Sequence, residues 1–194
     1  MNKKIESKRG KMKAQRQPKT TSASIQSLEA FYEAAKPFIV QYNNWLERQT
    51  FGLAIIPDHI CYKCSSSQEF ESLRKLFEKE GVYLYQSFIS GRRIAIIKLP
   101  EQIETHHGHI HFLELSDQKP DGSQVSGFDH IEIFQKDSPA GQLASVLAGP
   151  NNQAGMRINR RPHHTTYDFT LENGFTIRLE DEPLIDKIKR EEMM

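Results

Sequence analysis

The chain has 194 residues, of which 26% are charged and 37% are hydrophobic, and this is the composition of an ordinary globular protein. No apolar run approaches the roughly 18 residues that a membrane-spanning helix requires, so we expect no membrane association. The charged N-terminus is not followed by the apolar segment of a secretory signal. With only two cysteines, the sequence argues against a disulfide-stabilised secreted domain and predicts a cytoplasmic protein.

Residues 1–22 are predicted to be a basic, disordered tail. Within residues 1–20, eight Lys and Arg side chains stand against Glu6 alone, a balance of +7, so the remaining residues carry −6. The segment lacks the apolar periodicity that a packed element requires. Such a tail can bind nucleic acid weakly through phosphate contacts. The alternative is a solvated extension without a specific ligand.

Residues 23–50 are predicted to be helical, because apolar side chains recur at helical spacing from about Ile25 onward. Ser22 or Ser24 is expected to cap the N-terminus of this helix. Pro37 is expected to end or kink it, with a second helical stretch following.

Residues 51–194 are predicted to form the folded domain, whose first module spans about residues 55–116. A strand that contains "DHI" at 58–60 is followed by a Ser-rich capping region and a helix over 68–80. Three β-rich runs come next, and Ser90-Gly91 separates the first two; the runs are residues 82–89, 92–99 and 109–115.

A second module, about residues 126–182, repeats this order. It opens with "FDHIEIF", after which Ser138 is expected to cap a short helix. "MRINRR" is expected to be a strand, and "TYDFTLENGFTIRLE" a hairpin with a two-residue turn at Asn173-Gly174. The final "PLIDKIKREE" is predicted to be a closing helix. The repeated order gives His59 and His130 equivalent positions and indicates an internal duplication.

Two βαβββ units in tandem resemble the vicinal oxygen chelate superfamily and, within it, the YecM-like family. The resemblance spans about residues 25–190. It is carried by "DHI" at 58–60, "GRRIAIIKL" at 91–99, "LEL" at 113–115 and "DHIEI" at 129–133. It implies an α+β fold in which two tandem βαβββ modules form a curled mixed sheet around a cleft, preceded by the N-terminal helical segment.

The resemblance also implies a divalent metal ion held by the first and last strands of each module. Carried over to this chain, the ligand positions are His59, Glu114, His130 and Glu180. The family pattern has histidine at the fourth position, so Glu180 departs from it. Imidazoles and carboxylates together suit Zn, Fe, Ni, Co or Mn. Open coordination positions would leave room for water or a bidentate substrate.

Strand parity leaves alternatives open at several positions. Glu132 shares a face with His130, so it is a candidate ligand, catalytic general base or partner that orients an imidazole. In a regular strand, Glu114 and His111 cannot both face the cleft. The residues alone favour the two histidines of "HIHFLEL", whereas the resemblance favours Glu114. A lone His59 at a strand start is more often a hydrogen-bonded structural residue, but its repeated context favours metal binding.

Two further groups of residues invite a functional interpretation. Arg157 and Arg161, with Arg92 in the first module, are candidates to bind the carboxylate or phosphate of an anionic substrate, although a solvated basic loop explains them equally well. Cys61 and Cys64 form a C-x-x-C motif. Because an odd spacing sends strand side chains to opposite faces, and no second such motif exists, we interpret it as having no function.

We therefore expect a divalent-metal-binding protein that acts on a small anionic, oxygen-bearing substrate, with isomerase, lyase and dioxygenase chemistry all open. One alternative is a non-catalytic ligand- or metal-binding module of the same fold. Another is an accessory protein tethered to nucleic acid by its basic tail. Two modules in one chain are compatible with a monomer or a homodimer.

Overall fold

The protein is described here by a computed structural model that covers residues 25–49, 53–80, 82–149, 155–161 and 164–192. The predicted basic tail and its possible caps Ser22 and Ser24 lie outside the described residues. The helices and strands are, in chain order, α1 (Leu28–Gln49), β1 (Ile55–Lys63), α2 (Ser67–Glu80), β2 (Val82–Ile89), β3 (Arg92–Thr105), β4 (Gly108–Ser116), β5 (Gly127–Gln135), α3 (Ala140–Ala148), β6 (Met156–Arg160), β7 (Thr165–Thr170), β8 (Thr176–Leu179) and α4 (Leu184–Glu192).

The strands form one mixed sheet in the order β2-β3-β4-β1-β5-β8-β7-β6. This order is symmetrical about the contact between β1 and β5, which are antiparallel. On either side, β1 pairs in parallel with β4 and β5 pairs in parallel with β8. Each module therefore contributes the same four-stranded arrangement, which confirms the predicted fold of two βαβββ modules.

Helix α1 continues through Pro37, so the prediction that the helix ends at this proline is wrong, while the alternative of a kink stays a prediction. Its N-terminus is capped by Ser27, whose Oγ accepts a hydrogen bond from the Ala30 N–H at 3.1 Å. Pro37 lies on the exposed side of the helix, while Phe31, Ala35 and Tyr42 are buried on the other. Burial of that apolar face outweighs the local cost of the proline, because tertiary packing supplies most of the stability of a helix in a protein.

The main hydrophobic core lies between one face of the sheet and helices α1, α2 and α3. The ring of Phe31 in α1 lies 5.0 Å from that of Phe77 in α2 and 5.3 Å from that of Phe128 in β5. Further along α1, Trp45 lies 5.1 Å from Phe169 in β7. Helix α1 thus packs across both modules and joins them.

Helix α4 packs on the opposite face of the sheet. Its apolar residues form a second, small cluster with strands β2 and β3; the members are Tyr85, Ile94, Ile96, Leu184, Ile185 and Ile188. Alternate residues Ala95 and Ile97 of β3 belong to the main core. The closing helix predicted from the sequence is therefore present and covers part of the face that carries the polar residues described below. Among the described residues, no helix is long and apolar enough to span a membrane.

A two-residue turn is present at Ser90-Gly91 but not at Asn173-Gly174. Ser90 and Gly91 both have positive φ, at 51° and 77°, as a two-residue hairpin turn requires. The hairpin between β7 and β8 is present, but its predicted two-residue turn is wrong. The Leu171 N–H donates to the Phe175 carbonyl at 2.7 Å, which closes a three-residue loop with Gly174 at φ 86°. Glycine is required at this last loop position because the chain there is left-handed.

The predicted cap of helix α3 is also wrong. Pro139, not Ser138, precedes the helix and makes no side-chain capping bond. The Ala140 N–H instead donates to Asp181 Oδ1 at 2.7 Å. This partner lies far along the chain, after β8, and the tertiary fold brings it to the helix.

Candidate metal centre

Polar side chains of three adjacent central strands meet on the face opposite the main core. We call four of them the cluster; its members are His59, Cys61, Glu114 and His130. Glu114 of β4 lies beside Cys61 of β1, and Cys61 lies beside His130 of β5. In the next row, His59 of β1 is paired with Glu132 of β5. Because strand side chains alternate, the intervening Ile60 and Ile131 point into the core.

Three of the four predicted ligands come together in this cluster. One donor atom each from His59, Glu114 and His130 lies within 4.8 Å of the other two. Nε2 of His59 is 3.8 Å from Glu114 Oε2, and the two imidazole centroids are 5.8 Å apart. The side chains of His59 and His130 are 1% and 3% exposed, whereas that of Glu114 is 22% exposed. The cluster is therefore nearly buried, with Glu114 at its more open side.

Each histidine is oriented by the aspartate that precedes it in the sequence. His59 Nδ1 donates to Asp58 Oδ2 at 2.8 Å, and His130 Nδ1 donates to Asp129 Oδ2 at 3.0 Å. This leaves Nε2 of both rings directed at the cluster, as in carboxylate–histidine pairs that support a metal ion. The sequence analysis gave these aspartates no role, although their repetition within "DHI" was the available signal.

The surroundings of His59 fit a cation. Nε2 of His59 is buried and makes no hydrogen bond to any described residue. Burial by itself lowers the pKa of His59, but Glu132, Asp58 and Glu114 outweigh it and raise the pKa to about 9. Positive charge is thus stabilised at a ring nitrogen that lacks a partner. Two imidazoles and a carboxylate are also ligands that borderline divalent metals prefer, so the residues present fit the implied metal ion.

The second histidine has a different neighbour. Nε2 of His130 accepts a hydrogen bond from Arg178 Nη1 at 3.2 Å. Burial and the positive charge of Arg178 lower the pKa of His130 to about 4. His130 is therefore a neutral ring with a lone pair on Nε2, which is the protonation state that metal ligation requires.

Helix α4 places a lysine beside the remaining carboxylates. Lys187 Nζ lies 2.8 Å from Glu180 Oε2 and 3.7 Å from Glu132 Oε1. The first residue of the helix, Leu184, donates its N–H to Asp58 Oδ2 at 3.0 Å. Among the described residues, Glu180 is not in a group of donor atoms close enough to share an ion. Its role as the fourth ligand stays a prediction.

Glu132 is buried beside the cluster, with Oε2 4.0 Å from His59 Nε2. Burial raises its pKa to about 7, an effect that His59 and Lys187 reduce only in part. A carboxyl group that titrates near neutral pH is able to take up and release a proton under physiological conditions. Glu132 also forms, with Asp58 and His59, a third group whose donor atoms lie within 4.8 Å of one another, so its role as ligand, general base or orienting partner stays a prediction.

Cys61 lies in the cluster, although the C-x-x-C motif was interpreted as having no function. Its thiol donates to Glu114 Oε1 at 3.2 Å, and Cys61, Asp129 and His130 form a second group with donor atoms within 4.8 Å. Cys64 packs in the main core, so the two thiols face opposite sides as parity predicted. The parity that separates the two thiols directs Cys61 to the polar face, and the interpretation that the motif has no function stays a prediction.

The histidines at 109 and 111 are exposed and are not part of the cluster. The side chains of β4 do not alternate strictly between the two faces of the sheet. Ile110 and Leu113 are three positions apart, yet both are buried in the main core. The register between β3 and β4 shifts between Lys98 and Ile103, opposite this part of β4. Among the described residues, Glu114, but neither of these histidines, lies in a group of donor atoms close enough to share an ion, and its role as a ligand stays a prediction.

The three predicted substrate-binding arginines do not come together. Arg92 begins β3 and donates from Nε to Ser116 Oγ at 2.9 Å. Arg157 lies on β6 at the far edge of the sheet, and Arg161 follows that strand; both are exposed. Their binding of substrate stays a prediction. Arg178, which the sequence analysis did not single out, is the arginine that contacts the cluster. The available sequence signal was that Arg178 lies two positions before Glu180, a spacing that puts two strand side chains on the same face.

Comparison with known proteins identifies the family. The model of the YecM protein family matches residues 22–168. Protein YecM of Escherichia coli (strain K12) is 30% identical over 131 residues, which cover 65% of this chain and 69% of that protein. The chain belongs to the YecM family. The family match ends before β8, so Arg178 and Glu180 lie beyond it.

One solved structure supports the same fold. A structure described as "Structural Genomics, Protein EC4020" has a TM-score of 0.71 and 23% sequence identity, and the alignment covers 87% of this YecM-family chain and 94% of that one. A methylmalonyl-CoA epimerase of Streptomyces coelicolor, in complex with 2-nitronate-propionyl-CoA, has a TM-score of 0.43 and 16% identity over 65% of this chain and 96% of that one. A likeness at that level carries no argument about the site.

Proposed function

We propose that this YecM-family protein binds one divalent metal ion through His59, Glu114 and His130 and acts in the cytoplasm on a small anionic, oxygen-bearing substrate. The observation that carries the proposal is the buried Nε2 of His59, which has no hydrogen-bond partner and lies among carboxylates that favour positive charge. The likeness of the sequence to the vicinal oxygen chelate superfamily supports these three ligands and implies Glu180 as a fourth.

The group around His59 is favoured over the group around Cys61. The thiol of Cys61 already donates to Glu114, and burial raises its pKa well above the usual value. Asp129 is likewise engaged, by His130 and by Lys63 Nζ at 2.5 Å. Thiolate ligation would require these contacts to break, whereas His59 Nε2 has no hydrogen bond to lose and would release only its proton to the solvent when a metal ion binds.

The chemistry that the site supports best is proton transfer at a carbon next to a carbonyl group. A bound divalent metal would polarise the carbonyl or enolate oxygen of a substrate. Glu132, with its pKa near 7 and its carboxylate beside His59, would hold the transferred proton. The proposal therefore favours isomerase or lyase chemistry over dioxygenase chemistry. Arg92, Arg157 and Arg161 are proposed to attract the anionic substrate toward the sheet.

The test is metal binding by purified, tag-free protein. After loading with Zn²⁺, Co²⁺ or Mn²⁺ and removal of excess ion, elemental analysis should give one ion per chain. His59→Ala or His130→Ala should weaken binding by at least about 100-fold. The double variant His109→Ala/His111→Ala is the matched control, because those imidazoles are exposed, and it should bind as the wild type does.

Two results would overturn this proposal. One is wild-type protein that takes up no stoichiometric metal. The other is unchanged affinity in His59→Ala, with circular dichroism showing that the variant is folded. A thiolate charge-transfer band in the Co²⁺ spectrum, lost in Cys61→Ser, would instead assign the ion to the group around Cys61.

A non-catalytic metal-binding module is the second candidate. The observation that favours it is the burial of the site: His59, His130 and Glu132 are almost inaccessible, and helix α4 contributes Lys187 to the same region. Enzymatic turnover distinguishes the proposed enzyme from a non-catalytic metal-binding module. Metal-loaded wild type should exchange the α-proton of a carboxylate-bearing carbonyl compound for deuterium, and Glu132→Gln should not. A wild type that binds metal but exchanges no proton across such compounds would favour the module.

A further inference from the structure

We propose that Arg178 is the anion-binding residue of the metal centre, and that a metal ion and a carboxylate bind cooperatively because they exchange partners at His130. This inference rests on the proposed metal site and adds the residue that selects the anion. It concerns a side chain on β8, beyond the part of the chain that the family match covers.

The guanidinium of Arg178 is held in a fixed orientation. Nε donates to Asp168 Oδ1 at 2.8 Å, and Nη2 donates to Asp168 Oδ2 at 3.1 Å. Asp168 is 8% exposed and also accepts a hydrogen bond from Asn159 Nδ2 at 2.8 Å. A bidentate pair of this kind leaves the guanidinium little freedom. Asp168 therefore presents the remaining nitrogen, Nη1, to the metal centre.

Nη1 of Arg178 uses the lone pair of His130 that a metal ion would need. Its present acceptor is His130 Nε2, at 3.2 Å. His130 Nδ1 carries the proton that it donates to Asp129, so Nε2 holds the lone pair of the ring that is available to a ligand. Arg178 and a metal ion therefore compete for one pair of electrons.

Metal binding leaves Arg178 with an unsatisfied donor. Once Nε2 of His130 ligates an ion, Nη1 loses its acceptor, while the side chain is only 20% exposed and still fixed by Asp168. A buried donor without a partner is costly. An anionic oxygen at an open metal position next to His130 would accept the Nη1 hydrogen bond and remove this cost.

The charges around the site define the class of anion. Asp58 and Glu114 already place negative charge beside His59, and Glu132 adds to it when it is ionised. A dianion such as phosphate would be repelled more strongly by these carboxylates than a monoanion would. The planar carboxylate group, with one oxygen for the metal and one for Nη1, suits the geometry of a guanidinium edge. The substrate class is therefore a monocarboxylate.

The experiment measures binding linkage rather than activity. Co²⁺ is titrated into metal-free protein with and without acetate at constant ionic strength, and acetamide serves as the neutral control. Acetate should raise Co²⁺ affinity by about fivefold or more, and bound Co²⁺ should raise acetate affinity by the same factor, because coupling is reciprocal. Acetamide should give no such increase.

Variants assign the coupling to Arg178. Arg178→Ala should bind Co²⁺ at least as tightly as the wild type does, since the competitor for His130 is gone, but acetate should no longer raise that affinity. Arg178→Lys keeps the positive charge but lacks the forked guanidinium, so it should lose most of the coupling between Co²⁺ and acetate. This variant tests the inference if Arg178→Ala does not fold. Arg160→Ala, an exposed arginine of β6, is the control and should keep the coupling.

The outcomes separate the inference from the proposed function. Wild-type protein that takes up no Co²⁺ rejects the proposed function and the inference with it. Co²⁺ uptake without any effect of acetate rejects the inference alone. Coupling that survives unchanged in a folded Arg178→Ala or Arg178→Lys variant also rejects it.

Discussion

Asp58 and Asp129 orient the two histidines of the candidate metal centre. Each carboxylate fixes one imidazole through Nδ1 and so selects Nε2 for the cluster. The two pairs occupy equivalent strands of the two modules. At the scale of single residues, the motif that the duplication preserves is therefore the Asp-His pair rather than the histidine alone.

Removal of one of these aspartates should weaken metal binding without removing a ligand. We expect Asp129→Ala to lower metal affinity by about 10- to 100-fold, because the imidazole of His130 loses its orienting partner. Isothermal titration calorimetry measures the change. Asp121→Ala, which alters an exposed loop, is the control. Wild-type affinity in Asp129→Ala would contradict this role of the pair.

Glu71 gives a pH-dependent contribution to stability away from the metal centre. Hydrogen bonds from Arg93 and Arg74 hold the pKa of Glu71 below its usual value, and the Arg93 guanidinium lies 4.4 Å from the ring centroid of Phe70. Since the folded-state pKa is depressed, the stabilisation is present above the pKa of the unfolded chain. It is lost as the pH falls through the folded-state pKa.

We therefore expect Glu71→Gln to be less stable than the wild type at pH 7, by no more than about 1 kcal/mol, because the ion pair is partly solvent-screened. Urea denaturation at pH 7 and at pH 3 measures this difference in unfolding free energy. The deficit should shrink toward zero at pH 3, and an equal deficit at both pH values would contradict the electrostatic explanation.

Candidate ligands could be predicted from the sequence only where a repeated motif or the family resemblance marked them. His59 and His130 stand in the two "DHI" segments, and Glu114 followed from the family resemblance. Cys61 and Arg178 could not be placed in the same way, because their contacts depend on which strands are neighbours and in which register. That information is long-range and is absent from local periodicity.

At the scale of elements, helix α1 shows that local propensity yields to packing. Pro37 lies within the helix on its exposed side. Pro37→Ala should therefore stabilise the protein, by up to about 3 kcal/mol, because a backbone donor is restored and no packed side chain is lost. Thermal unfolding measures the change. A lower melting temperature in Pro37→Ala would contradict this prediction and mean that the proline stabilises the backbone conformation of the helix.

Helix α3 provides a second prediction at this scale, with a matched control. Asp181→Ala removes the acceptor of the Ala140 N–H and should lower the unfolding free energy by about 0.5–2 kcal/mol. Ser138→Ala, at the cap predicted from the sequence, should have almost no effect because that side chain makes no capping bond. Chemical denaturation of the two variants compares them directly, and the reverse order of effects would contradict the observed cap.

Most helices and strands could be predicted because their apolar periodicity is strong and local. The errors fall at their ends and turns: the cap of α3 comes from Asp181, and the loop at Gly174 is one residue longer than expected. Both depend on contacts that form only after distant parts of the chain have packed. The register shift between β3 and β4, which lies between the Lys98–Phe112 and Ile103–Ile110 pairs, belongs to the same class.

At the scale of the whole molecule, the duplication explains why a site exists at the centre of the sheet. The symmetrical strand order makes β1 and β5 neighbours, so the two first strands present His59 and His130 to one another. Helix α1 packs across both modules on one face, and α4 adds Leu184 and Lys187 to the other. The site therefore belongs to the paired modules and not to either one.

The most direct test of this account is anomalous diffraction from crystals of the tag-free protein grown with Zn²⁺. A metal centre predicts one strong peak per chain about 2.0–2.2 Å from Nε2 of His59, Nε2 of His130 and a carboxylate oxygen of Glu114. No peak at this position in metal-loaded crystals, or a peak only at the exposed imidazoles of His109 and His111, would contradict it.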